Sequence, residues 1–163
     1  MKTKKSNALI ELEALALEAN RVKYPTLPEG ARYIGKYVER TANGLQKCII
    51  DFLKFNGWQC ERISVTGRYV DNSKVVTDVL GNKKKIGSGQ YIPSSMQRGS
   101  ADLSATIKGR SVKIEVKIGK DVQSQHQKNY QLQVERAGGV YLIAKDFQSF
   151  FDWYKNFLAN STT

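Results

Sequence analysis

Asp102, Glu115 and Lys117 combine two carboxylates and an ammonium group at a spacing that suits metal-assisted chemistry. From Ser100 to Ile107, and again from Ser111 to Lys117, polar and apolar residues alternate with the two-residue period of half-buried strands. Ala101, Leu103, Ala105 and Ile107 share one face of the first strand, and Asp102, Ser104 and Thr106 share the other. On the second strand Val112, Ile114 and Val116 are the apolar set, opposed by Lys113, Glu115 and Lys117. Lys108-Gly109 supplies the turn between them. A one-residue slip would carry every apolar side chain to the wrong face. A tight turn therefore pairs residues whose numbers sum to 217, such as Leu103 with Ile114 and Ala105 with Val112. That register sets Asp102 across from Glu115.

Directly opposed residues have Cβ atoms about 4.5–5.5 Å apart. Two carboxylates that close repel each other unless a proton or a cation lies between them. Magnesium suits the arrangement, since it takes one or two carboxylates, keeps several waters and accepts phosphate oxygens. Lys117 follows Glu115 on the same face, about 7 Å along the strand. An ammonium there can orient an attacking water and offset charge on a pentacoordinate phosphate. The alternative is a plain hairpin whose acids and lysines are simply hydrated. Like charges placed opposite each other count against that alternative.

The elements that must position this hairpin can be read along the chain. Residues 7–21 form an expected helix with Leu9, Leu12, Ala16 and Ala19 on one face, broken by Tyr24-Pro25 and Leu27-Pro28-Glu29-Gly30. A loop or short helix follows through Tyr33, Tyr37 and Glu39. Residues 43–56 carry a helical stripe of Leu45, Cys48, Ile49, Phe52 and Leu53, closed by Asn56-Gly57. Trp58 to Val65 reads as a strand. Thr66 to Gly99, rich in Gly, Ser, Asn and Lys, reads as a hairpin or extended excursion carrying positive charge. After the carboxylate hairpin come a helix over 124–137 ending at Gly138-Gly139, a strand Val140–Ala144, and a last helix capped by Asp146. Phe147, Phe150, Phe151, Tyr154 and Phe157 form its core stripe, at a spacing that fits packing rather than base stacking. The order predicts an α/β or α+β domain with one mixed central sheet.

Composition bounds the partners. Lys and Arg number 26 against 15 acids, a formal net charge of +11, which draws polyanions, nucleic acid foremost. Cys48 and Cys60 lack metal-ligand spacing and read as buried thiols of a reducing compartment. The N-terminus has no apolar signal core, and no run of about 18 apolar residues is present for a membrane span; a cytoplasmic location, in a bacterial cell or phage-infected host, is expected. The single histidine, His126, excludes two-histidine zinc sites.

G-S-A-D at 99–102 followed by I-E-V-K at 114–117 resembles the signature of the PD-(D/E)XK nuclease superfamily. The continuation, Ser124-x-x-Gln127, a helix, Ala137-Gly138-Gly139 and V-Y-L-I-A at 140–144, resembles its virus-type replication-repair nuclease (VRR-NUC) branch. The likeness spans 45–152 in outline and is specific over 98–144. It implies a restriction-endonuclease-like core over 41–163, with residues 1–40 as a helix and linker packed on it. It makes Asp102, Glu115 and the Val116 carbonyl ligands of Mg2+ or Mn2+, Lys117 the catalytic lysine, and Gln127 a helix residue reaching the active site. Gln127 equally completes a capping box with Ser124, which needs no catalysis. Two departures stand out. Ala101 replaces the usual proline before the motif aspartate, and the first core helix begins Thr41-Ala42-Asn43-Gly44-Leu45-Gln46 without the usual glutamate. Asn43 or Glu39 is the available substitute there.

The expected activity is metal-dependent hydrolysis of DNA, selective for branched or junction structure; related stand-alone members imply a homodimer. Lys83, Lys84, Lys85, Arg98, Lys113, Lys120 and Lys128 are the candidate phosphate contacts. Of these, Lys120 and Lys128 flank the site, and such contacts position DNA without reading its sequence. The rival readings are a non-catalytic DNA-binding module that retains the fold and a basic subunit of a larger assembly.

Overall fold

The computed structural model describes residues 5–64, 67–94 and 96–160. Helix α1 (Asn7–Lys23) starts where the Ser6 hydroxyl accepts from the Leu9 amide at 3.3 Å, and it buries Ala8, Leu9, Leu12 and Ala16. A short 3-10 turn at Glu29–Ala31 follows the Pro-rich break. Helix α2 (Ala42–Phe55) is capped by Thr41 and turns its Leu45, Cys48, Ile49, Phe52 and Leu53 stripe inward. Gly57, with φ +80°, ends it as the Asn-Gly pair predicts.

Strand β1 (Gln59–Arg62) is shorter than the expected run from Trp58; Val65, its expected end, and Thr66 lie outside the described residues. The excursion is an antiparallel ribbon. β2 (Arg68–Asp71) pairs with β5 (Gly89–Ile92), and β3 (Lys74–Thr77) with β4 (Lys83–Ile86). Strand β6 (Leu103–Ile107) begins later than the alternation from Ser100 suggests. Gln97–Ser100 instead forms a turn, in which both the amide and the hydroxyl of Ser100 donate to the Gln97 carbonyl, at 3.1 and 2.6 Å. Strand β7 (Arg110–Val116) returns after Lys108 (φ +51°) and Gly109 (φ +74°), the two positive φ values of a type I′ turn.

Helix α3 (Gln125–Arg136) carries the chain to β8 (Val140–Ala144), and α4 (Phe147–Asn160) closes the fold. Asp146 caps α4 by accepting from the Ser149 amide at 2.7 Å, as its position before the aromatic stripe predicts.

The main sheet has the order β1-β6-β7-β8, antiparallel except for the β7–β8 pair, whose parallel pairing requires the α3 crossover. The chain is thus a mixed α and β fold with four helices and a mixed sheet. Cys60, Leu103, Ala105, Ile107, Val112, Ile114 and Val116 face a single core built with α1, α2 and α4. Phe52 centres it, edge-on to Phe147 at 5.7 Å and to Tyr154 at 5.1 Å between ring centroids. Cys48 and Cys60 are buried free thiols there, and burial raises their pKa values to about 12 and about 11, which keeps them unreactive. Of the described helices, α3 alone covers the opposite face of the sheet; it buries none of its own residues fully and leans on β8 through a Tyr130–Tyr141 edge contact at 6.3 Å. No described helix is long and apolar enough to cross a membrane.

Candidate metal and nucleic-acid site

The thinly covered face is where the polar half of the hairpin lies. β6 and β7 pair Leu103 with Ile114 and Ala105 with Val112, the register that the turn and the apolar pattern require. Asp102 precedes β6 and stays joined to both neighbours. Its carbonyl accepts from the Ile63 amide at 2.8 Å, and its Oδ2 accepts from the Val116 amide at 2.9 Å. That second bond locks the aspartate side chain against the E-x-K strand. Lys117 sits just past β7, and its amide still pairs with the Ala144 carbonyl at 2.9 Å.

Glu115 is only 2% exposed and Lys117 7%, an unusual depth for either type. Glu115 Oε1 accepts from Gln127 Nε2 at 2.5 Å and lies 3.1 Å from Lys117 Nζ. Glu115 Oε2 is buried and has no hydrogen-bond partner among the described residues. Burial, and then the nearby charge of Asp102, push the Glu115 pKa up against the pull of Lys117. Burial also pulls the Lys117 pKa down, but the hydrogen bonds and charges of Glu115 and Asp121 more than reverse it, so the ammonium stays charged. Tyr141, on β8 facing the same way, is held protonated far above its ordinary range by burial and by Glu115.

Gln127 does both things its position allows. Its Oε1 accepts from the Ser124 amide at 2.9 Å, the Ser124 hydroxyl accepts from the Gln127 amide at 3.3 Å, and its Nε2 remains free to reach Glu115. The capping box fixes the side chain that fixes the carboxylate.

Asp121 is a site residue that hydrophobic pattern and motif do not mark. It accepts from Lys117 Nζ at 3.2 Å, brought there by the turn at Gly119 (φ +61°). Only the four-residue spacing from Lys117 hints at it. A cleft of about 180 Å³ opens beside this pair, lined by Val122, Gln123, Ile143 and Lys145. Gly99 is another. A Cβ there would stand 2.5 Å from the carbonyl carbon and oxygen of His126 and 2.9 Å from the Gln127 amide, so the 97–100 turn packs directly under the first turn of α3.

The candidates for a further ligand are committed elsewhere. Glu39 Oε2 accepts from the Phe147 amide at 2.9 Å, at the start of α4, and Asn43 Oδ1 accepts from Arg62 Nη2 at 3.0 Å. Gln46 on α2 is 4% exposed, with Oε1 lacking a partner among the described residues. Among the described residues no group of three or more His, Cys, Asp or Glu is gathered for a metal.

Of the candidate phosphate contacts, Lys120 and Lys128 are exposed beside the site, on the turn after Lys117 and in the first turn of α3. Arg98 is exposed on the turn before Gly99. Lys113 is half-buried, donating to Ser104 Oγ at 2.6 Å on the same sheet face. Lys83, Lys84 and Lys85 stand apart on the ribbon, with Lys85 paired to Asp71 at 3.0 Å.

Neither a family model nor a curated protein matches this sequence.

Proposed function

We propose that this protein is a magnesium- or manganese-dependent nuclease that hydrolyses phosphodiester bonds in DNA, with a restriction-endonuclease-like core of the PD-(D/E)XK kind. The observation that carries the reading is Glu115. A buried carboxylate with one oxygen held by Gln127 and Lys117 and the other unpartnered is costly unless a cation completes it. Asp102, anchored by the Val116 amide and near enough for its charge to act on Glu115, adds a second hard oxygen donor. Two carboxylates suit a cation that retains waters and takes up phosphate.

Asp102 and Glu115, with the Val116 carbonyl, would hold the ion. Bound there, it would polarise a phosphoryl oxygen and lower the pKa of a water. Lys117, restrained by Glu115 and Asp121, presents its remaining donor to the phosphate and offsets the charge that builds as a water oxygen bonds to phosphorus and the leaving oxygen departs. Gln127 keeps Glu115 from rotating away. Lys120 and Lys128 attract the DNA backbone without selecting sequence, and branched DNA, met by two copies of the chain, is the substrate the resemblance favours. The occupied state of Glu39 and Asn43 favours one ion over two.

The non-catalytic DNA-binding reading draws on the small donor set, two carboxylates without a third. A nicking assay separates the two. Labelled duplex, single-stranded and four-way-junction DNA are incubated with magnesium, manganese or chelator. Metal-dependent nicking is expected, and Lys117→Ala is expected to lower it by about 10²–10³-fold while leaving binding measurable. Binding without nicking in either metal would sink the enzyme reading.

The basic balance adds a second expectation. Log affinity should fall linearly with log salt, and replacing Lys83, Lys84 and Lys85 by Ala should flatten the slope by about 0.9 for each phosphate that is no longer neutralised. A slope unchanged in that triple variant would remove the ribbon lysines from the interface.

A further inference from the structure

The ribbon β2–β5 takes no part in the site. The pairings of both its halves sum to 160, from Arg68↔Ile92 to Thr77↔Lys83, so 68–77 and 83–92 form one hairpin in a single register. Pairing lapses only where Asn72-Ser73 faces Gly87-Ser88. At about 3.3 Å per residue each strand is about 33 Å long. Nearly every residue of the ribbon is exposed. A two-stranded ribbon that packs on nothing is marginal in water, so this one is built to lie against something else.

Its chemistry says what. Strand alternation puts Arg68, Lys74 and Lys84 on one face with Val70, Val76, Ile86 and Ile92. Within the paired strands that face carries no acid; Asp78, next in the alternation, turns its carboxylate onto the tip amides, and the three cations make no ion pair among the described residues. The other face holds Lys83 and the Tyr69–Tyr91 pair, with Lys85 bound to Asp71. At the tip the Asp78 amide donates to the Asn82 carbonyl at 2.9 Å, the Asp78 carboxylate accepts from the Leu80 and Asn82 amides, and Gly81 has φ +85°. This closed three-residue loop holds Val79 and Leu80 out in solvent, 102% and 82% exposed.

We propose that the ribbon is an arm that lies along duplex DNA, with Arg68, Lys74 and Lys84 against phosphates and Val79-Leu80 wedged between base pairs at its tip. A duplex groove admits a two-stranded ribbon. Apolar wedges carried by basic elements unstack base steps and hold the DNA bent. Five cations against two acids between residues 67 and 94 repel the same arm of a second copy. The cations also run the length of the ribbon from Arg68 to Lys83, whereas insertion into a lipid surface would need them level with the tip. The arm rests on DNA being the partner proposed above.

The test uses the full chain in chelator and duplex or junction DNA carrying 2-aminopurine. Wild type should raise the 2-aminopurine fluorescence on binding. Val79→Ser/Leu80→Ser should abolish the rise and weaken affinity about tenfold, with an unchanged melting temperature because both side chains are exposed. Lys74→Ala/Lys84→Ala should lower the salt slope by about 0.9 per residue. Wild-type fluorescence and affinity in the tip variant, with metal-dependent nicking intact in wild type, would overturn the arm and leave the nuclease standing. No DNA binding and no nicking by wild type would sink both. Tip variants that bind DNA normally but no longer pellet with phosphatidylglycerol vesicles would make the arm a lipid contact and overturn the proposal.

Discussion

Glu115→Gln should lower metal-dependent nicking by at least about 10³-fold, more than loss of a single charge-stabilising donor, and yet melt at a higher temperature than wild type in chelator. The amide keeps the shape of the side chain and can still accept from Gln127. It cannot hold a cation, and it no longer buries a negative charge beside Asp102. The sign of the stability effect follows from proton linkage. Burial first, and Asp102 second, raise the folded-state pKa of Glu115 above its ordinary value of 4.5. Between those two values the folded chain holds a proton that the unfolded chain has released, so stability falls as pH rises through the window. Below the ordinary value the penalty is absent. The Gln variant has no such titration, so its advantage should grow as pH rises from the ordinary value through the raised one and then level off. Magnesium or manganese should raise the wild-type melting temperature and leave that of the variant in place. Thermal melts across pH, with and without metal, read all of this. A variant less stable than wild type at neutral pH in chelator, or one that nicks normally, would refute the account of Glu115.

The part of the site legible in the sequence is the part fixed by local periodicity. Alternation over 100–107 and 111–117 and a two-residue turn leave one register, and the β6–β7 pairing follows it from Ile107↔Arg110 to Leu103↔Ile114, ending one residue short of the expected Asp102–Glu115 pair. Cap chemistry is equally local, so Ser124, Asp146 and Asn56-Gly57 mark helix ends in the sequence as they do in the structure. Contacts that close across long stretches of chain leave no such trace. Glu39 looks available as a ligand until α4 arrives 108 residues later and takes it as a cap. The burial of Glu115 and Lys117 depends on β8 and α3, and an E-x-K written on a strand says nothing of depth. The strand expected from Ser100 begins at Leu103 because side-chain alternation does not register a turn held by the Gln97 carbonyl. In the ribbon, polar and apolar residues occur on both faces, so composition signals an excursion without giving its register.

Gly99→Ala tests how tightly the positioning of Gln127 is coupled to the motif turn. The residue adopts φ +86°, and any side chain would press on the His126 carbonyl and the Gln127 amide. These are backbone atoms in the first turn of α3, so relief requires the helix start to move, and Gln127 moves with it. Gly138 supplies the control. It has φ +79° at the end of the same helix, with nothing within 4 Å of the Cβ position. Gly138→Ala should therefore cost only the left-handed backbone penalty, about 1–2 kcal/mol, and leave nicking by the folded protein near wild type. Gly99→Ala should carry that penalty and the clash together, and reduce kcat by about 10–100-fold, as disruption of a ligand's supporting hydrogen bond does. Its DNA affinity should fall far less than kcat, because Lys120 lies outside the helix and Lys128, though carried on the moving turn, stays exposed on a long side chain. Melting curves and single-turnover nicking of the two variants give the comparison. Equal losses in both would mean that Gln127 is held by its capping box alone and that the 97–100 turn only connects; a kcat loss confined to Gly99→Ala would tie the glycine of the G-S-A-D run to the orientation of Glu115.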